Sequence, residues 1–329
     1  MANRGTRKGY SGQRPQGNGY YRGAGGRPAD NEKRRKRRRK RIIKALAAWA
    51  VCILLIGLFA VGTVRVVSSV ASSKKRQFRQ DGIEKLVSGD YAGAIEAFDA
   101  ALEKSGKKSE GFNSDVLGYR AEAEYKLRDY EAAVHTYGLL LEMKPDTAVY
   151  LYAQSMCYAH LGDTDDAIDR YKAGNAALKD DKAEAGKLEA LFAAGGACVD
   201  AGEYEKAMSL YQDALKEGIK HGQVYNQMGL CQMAEKDYRG ALDSFDQGYE
   251  TFVTGHSLGS GAEPAQAWAA LAGDAQADRA LLKELVYNQA VAYEYLSEYK
   301  KALELFEDYV SVFGSNEDAE HEIAFLKTR

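Results

Sequence analysis

The arrangement in this sequence most suggestive of chemistry is Gly255-His256-Ser257-Leu258-Gly259. It has the G-x-S-x-G spacing that, on a sharp turn between a strand and a helix, exposes a serine nucleophile beside backbone amides that take up oxyanion charge. That chemistry needs a β-alternating run ahead of Ser257, and the residues before it recur with a helical period instead. His135, His160, His221, His256 and His321 are scattered, with neither H-E-x-x-H nor the Cys/His spacing of a zinc site. Asp165-Asp166 and Asp180-Asp181 fall at a helix start and in a linker, where paired carboxylates read as solvated surface. No phosphate loop or dinucleotide fingerprint is present. The reading is of a protein with no catalytic residue, no metal ligand and no cofactor.

Cysteine usage agrees with that. Cys52 lies in a long apolar run, which leaves Cys157, Cys198 and Cys231, an odd number for a disulfide framework. All three occupy interior-looking helical positions, where cysteine behaves as a small apolar side chain.

The elements that carry these residues are repeated. An aromatic residue is followed three places on by Ala and four places further by a second aromatic: Tyr91/Ala94/Phe98, Tyr130/Ala133/Tyr137, Tyr204/Ala207/Tyr211, Tyr238/Ala241/Phe245 and Tyr299/Ala302/Phe306. Thr164/Ala167/Tyr171 keeps the register with Thr in the first place. Residues four apart share a helix face, so each Ala and second aromatic point the same way. An acid stands before every unit's first residue (Asp90, Asp129, Asp163, Glu203, Asp237, Glu298), where a helix N-cap or dipole partner belongs. Gly89, Gly162 and Gly202 precede three of these acids, as a turn between helices favours.

This register resembles the tetratricopeptide repeat, a helix–turn–helix unit of about 34 residues, over residues 75–316. The family's small eighth place is met by Gly82, Ala121, Ser155, Gly195, Gly229 and Ala290. Its later small place is met by Ala101, Gly174, Ala214 and Gly248, whereas Leu140 and Tyr309 depart from it. The closing proline appears once, as Pro145, and the fourth-place aromatic as Phe78 and Tyr225, with Leu117, Leu151, Leu191 and Val286 elsewhere. The resemblance implies an all-α fold: a TPR-like α-solenoid of about six helix–turn–helix units. They are expected near 75–108, 114–147, 148–181, 188–221, 222–255 and 283–316, with an insert at 256–282 and a capping helix at 317–329. The insert begins Gly/Ser-rich, and Pro264 then opens an Ala-rich helix carrying Trp268. Trp268 has two readings, packing on the sixth unit, which is favoured, and contact with a partner.

An array of this kind offers a concave groove lined by the first helix of each unit, and the resemblance implies a protein or peptide ligand there. Carrying over the family's fifth, ninth and twelfth places gives Tyr152, Met156, Phe192, Asn226, Met233, Tyr287 and Glu294, with Tyr125 and Tyr295 beside them. The Lys/Asn/Asn/Lys/Arg set with which some members grip a C-terminal carboxylate is not matched. Aromatic stripes at helical spacing also form cores, so packing between helices is the competing reading for each of these side chains.

Ahead of the repeats, residues 45–64 form an uncharged run closed by Lys44 and Arg65, with Trp49 near one end. Twenty helical residues span about 30 Å, the thickness of a bilayer's hydrocarbon core. A membrane helix within residues 42–71 is therefore expected. Residues 1–44 carry 16 Lys and Arg against Asp30 and Glu32, a net of +14, and the remaining 285 residues carry −16. Basic flanks are retained in the cytoplasm, so the N-terminus is expected inside and the repeats outside. A cleaved signal peptide ending at Ser69-Val70-Ala71 is the rival reading, disfavoured by the length of the apolar run and the long basic region before it.

Residues 1–32 hold eight Gly and no Leu, Ile, Val, Phe or Trp, a composition expected to be disordered. Beside the apolar run stand Lys33 and then Arg34, Arg35, Lys36, Arg37, Arg38, Arg39, Lys40 and Arg41. This cluster reads first as a topology signal; anionic lipid and, with the Arg/Gly/Tyr-rich tail, RNA are its other candidate partners. The expected function is a single-pass, membrane-anchored scaffold whose extracytoplasmic repeats bind a protein or peptide. The alternative is a membrane-tethered nucleic-acid or anionic-lipid binder acting through residues 1–41.

Overall fold

The computed structural model describes residues 73–105, 109–145, 147–178, 185–271, 273 and 275–329. The apolar run at 45–64 and the basic tail at 1–41 lie outside the described residues. Among the described residues, no helix is long and apolar enough to cross a membrane. These residues form α-helices and no strand. Six hairpins follow one another: α1 (Ser73–Ser88) with α2 (Tyr91–Ser105), α3 (Glu110–Leu127) with α4 (Tyr130–Met143), α5 (Ala148–Leu161) with α6 (Thr164–Ala177), α7 (Lys187–Ala201) with α8 (Tyr204–Lys216), α9 (Gly222–Glu235) with α10 (Tyr238–Gly255), and α12 (Gln276–Tyr295) with α13 (Tyr299–Phe313). Between the last two hairpins lies the short α11 (Pro264–Ala270), and α14 (Glu317–Leu326) closes the stack. The sixth hairpin starts ahead of residue 283, because α12 extends back to Gln276.

Each hairpin turn has the same local chemistry. The first helix ends on a left-handed residue, which is Gly89, Gly162 or Gly202 in three units and Arg128, Lys236 or Ser297 in the others. The next residue is the acid that starts the second helix. Asp90, Asp129, Asp163 and Asp237 accept the amide three residues on, from Gly93, Ala132, Asp166 and Gly240. Glu203 and Glu298 make no such cap, since the longer side chain places its oxygens beyond that amide. They reach to the neighbouring unit instead: Thr164 Oγ1 donates to Glu203 at 2.6 Å, and Arg239 pairs with Glu298 at 3.1 Å.

A non-glycine residue in the left-handed region costs about 1 kcal/mol. Lys236→Gly is therefore expected to raise stability by roughly that amount, less for the larger entropy of the unfolded glycine chain. Urea unfolding checks it, and a loss of stability would show that the Lys236 side chain makes a compensating contact.

Within each hairpin the second-helix aromatic inserts against the small residue of the first. Phe98, Tyr137, Tyr171, Tyr211, Phe245 and Phe306 are all buried, and Phe98, Tyr211 and Phe245 lie directly against Gly82, Gly195 and Gly229 of their units. At Gly82 the approach is so close that a Cβ would lie 2.5 Å from the Phe98 ring. Burying a ring of this size stabilises by about 1.5–3 kcal/mol, so the repeated aromatic is the principal fastening of each unit. One apolar cluster runs continuously from Leu117 to Cys231. A second gathers Phe252 and Val253 with α11, α12, α13 and α14. Cys157, Cys198 and Cys231 are free and buried within the first.

Candidate partner-binding groove

The first helices of the hairpins carry the residues expected to face a ligand, and their burial divides those residues sharply. Tyr152 is fully buried. Its ring lies against Gly174, where a Cβ would sit 2.5 Å away, and its hydroxyl donates to Asn175 Oδ1 at 2.7 Å. Met156 and Met233 are core side chains. Tyr125 is buried, its hydroxyl 2.8 Å from His160 Nε2 and its ring edge-on to Tyr130; burial pushes its phenol far above the ordinary range. Asn226 is fully buried and joins α9 to α12, accepting from Asn288 at 2.9 Å and donating to Glu284 Oε2 at 3.2 Å. Glu294 is buried on α12. These six side chains therefore pack between helices in this structure, and the expectation that they line an open groove is corrected accordingly.

Phe192 and Tyr287 differ: both are half-buried. The Phe192 ring lies 5.9 Å from that of His221, and Tyr287 stands edge-on to Phe306 and Tyr309 at 5.3 and 5.6 Å. Tyr152 packs against Gly174, a repeat place that holds Ala214 in the hairpin of Phe192 and Tyr309 in that of Tyr287.

Trp268 packs on the sixth unit. Its ring meets Phe313 at 5.1 Å, with the Arg279 guanidinium 4.3 Å and the Lys283 ammonium 5.0 Å from its face. Arg279 also donates to the Leu271 carbonyl at 2.8 Å, fixing the end of α11 against α12.

The G-x-S-x-G stretch forms the capping turn of α10, with no strand before it. The Ser257 amide donates to the Thr254 carbonyl at 3.1 Å and Ser257 itself is left-handed, with φ 60°. His256 lies 2.8 Å from the Phe252 carbonyl through Nδ1 and 3.3 Å from Asp278 through Nε2. Among the described residues no cluster of His, Cys, Asp and Glu has the arrangement of a metal site. Burial raises the Cys157 thiol far out of the reactive range and the Cys198 thiol to about 11.

Two features escaped the sequence reading. Arg120 on α3 pairs with Asp99 at 2.7 Å and with the buried Glu124 at 2.5 Å, and burial raises the Glu124 carboxyl. The four-residue spacing of Arg120 and Glu124 was visible, but nothing local shows that the pair is enclosed. Glu284 is the other: its enclosure comes from α9, 58 residues earlier.

Comparison with known proteins finds similarity over parts of the chain. The tetratricopeptide-repeat family profile matches residues 82–133 and 119–175. Tetratricopeptide repeat protein 8 of Caenorhabditis elegans is 28% identical over 122 residues, 37% of this chain and 23% of that protein. Small glutamine-rich tetratricopeptide repeat-containing protein 2 of Mycosarcoma maydis is 29% identical over 105 residues, 29% of this chain and 27% of that protein. The match thus spans about a quarter of each curated relative. Similar solved structures include YrrB, described as a TPR protein with an unusual peptide-binding site (TM-score 0.43, 19% identity, 69% of this chain and 97% of that one). A tetratricopeptide repeat protein of Parabacteroides merdae is another (TM-score 0.44, 15% identity, 78% and 100%). Tetratricopeptide repeats are thus supported within residues 82–175.

Proposed function

We propose that this protein is a membrane-anchored scaffold whose repeats hold a protein or peptide partner outside the cytoplasm. The observation that carries the binding reading is the pair of half-buried rings, Phe192 and Tyr287, each on the first helix of its hairpin at the same repeat place. Rings that are anchored on one side and open on the other serve as low-entropy contacts for a partner. The net charge of −16 over residues 45–329 favours a basic or mixed-charge ligand. A crosslinked pull-down with the full chain, compared with a Phe192→Ala/Tyr287→Ala chain, tests it. A partner retained equally by both would remove the groove from the proposal.

Anchoring rests on residues 45–64 and the basic flank before them. A reporter fused after Arg329 is expected to be active only on the trans side of the membrane. Activity in the cytoplasm would overturn the orientation, and recovery of a soluble fragment beginning at Ser72 would replace the anchor with a cleaved leader. The nine successive basic residues 33–41 favour a second reading, a tail that binds anionic lipid or RNA. Deleting residues 1–41 is expected to abolish vesicle or RNA binding under that reading, and to leave partner capture intact under the first.

A further inference from the structure

Tyr287, one of the two half-buried rings, has Glu284 one turn ahead of it on α12. Residues three apart on a helix are surface neighbours, so the carboxyl and the ring share a face. Glu284 is part-buried toward α9, where Asn226 Nδ2 donates to its Oε2 at 3.2 Å. Asn226 is held in that orientation from its other end, its Oδ1 accepting from Asn288 Nδ2 at 2.9 Å. Asn288, Asn226 and Glu284 thus form a relay whose donors all run toward the carboxyl. An ionised carboxylate only accepts, so this arrangement suits the charged acid.

The cation that would complete the relay is not supplied by the repeats. Among the described residues no lysine or arginine pairs with Glu284. Lys283, its neighbour in sequence, lies over the Trp268 ring at 5.0 Å, with its ammonium 3.4 Å from the Phe313 carbonyl. Arg279 lies over the same indole and donates to the Leu271 carbonyl. The enclosed acids of α3 are treated differently. Glu124 pairs with Arg120 at 2.5 Å and Glu122 with Lys126 at 3.3 Å, each four residues away. Four residues on from Glu284 stands Asn288, an amide already committed to the relay. Burial raises the Glu284 carboxyl, to about 8, against the Asn226 contact. A cation brought to it would relieve that cost.

We propose, resting on the groove reading above, that Glu284 sets the groove's specificity: it receives the ammonium or guanidinium of a lysine or arginine in an extended partner peptide, whose adjacent apolar side chain packs at Tyr287. The net charge of −16 over residues 45–329 draws such a peptide toward the repeats.

Selection of short random linear peptides from a display library tests this, on the full chain, on Glu284→Gln and on Phe192→Ala/Tyr287→Ala. The full chain is expected to select peptides with Lys or Arg at one fixed place beside an apolar residue. Glu284→Gln still accepts the Asn226 amide but carries no charge, and is expected to keep the apolar preference and lose the basic one. With a selected peptide, fluorescence anisotropy compares Glu284→Gln with replacement of the peptide's basic residue by norleucine, which leaves the repeats untouched. Each change is expected to weaken binding about tenfold or more, and both together no further than one alone. Basic residues enriched equally at every place overturn the role of Glu284 and leave the groove standing. So does a fixed basic place that Glu284→Gln does not change. Selection that the Phe192→Ala/Tyr287→Ala chain matches, or that yields no peptide, removes the groove reading and this assignment with it.

Discussion

Gly195→Ala is expected to cost the fold about 1–3 kcal/mol, whereas Gly196→Ala, the next residue of α7, is expected to leave stability unchanged or raise it by up to about 1 kcal/mol. Both are helical glycines with ordinary backbone angles, so conformational strain does not separate them. Their surroundings do. A Cβ at Gly195 would collide with the Tyr211 hydroxyl and ring, with Cε1 only 2.8 Å away, while a Cβ at Gly196 would meet nothing within 4 Å. Tyr211 is fully buried and has no free volume to retreat into. At Gly196 only the higher helix propensity of alanine is felt. Three units carry Ala121, Ser155 and Ala290 at the place of Gly195, so the cost belongs to the closeness of this hairpin and not to the fold in general. Urea unfolding of both variants measures the difference. Equal effects would mean that the aromatic insertion does not fasten α7 to α8.

Phe192→Ala combined with Tyr287→Ala is expected to weaken partner capture about tenfold or more, since interface aromatics often cost about 2 kcal/mol each on truncation. Far-UV helicity should be retained, because both rings are half-buried. Tyr152→Ala is the contrasting case at the same repeat place. Its ring is fully buried and its hydroxyl donates to Asn175, so its loss is expected to cost about 3–5 kcal/mol of stability. Binding that survives the double substitution would move the contact surface elsewhere on the stack. Unfolding on loss of Phe192 and Tyr287 alone would make these two rings core fasteners like Tyr152.

Periodicity alone was enough for the helical hairpins. Each aromatic–Ala–aromatic set places its Ala and second ring on one face, and all six second rings are buried. The acids before the second helices were legible for the same reason, since a cap concerns residues three apart; the four aspartates form it. The glutamates show the limit of that local rule. One methylene more turned Glu203 and Glu298 toward the adjoining unit, where Thr164 and Arg239 receive them.

What the amino-acid order by itself determined is therefore what neighbours within one or two turns determine: which segments are helices, where each hairpin bends, and which face of each helix is apolar. Tertiary structure alone decided which of the groove-facing candidates are open. Tyr152 is buried against Gly174 of the following helix, whereas Phe192 at the same repeat place is half-buried. Burial against α9, 58 residues earlier, raises the Glu284 carboxyl, while the Asn226 amide that donates to it opposes that rise. Burial and charge at a site depend on the atoms that arrive from elsewhere in the chain, and packing brings them there.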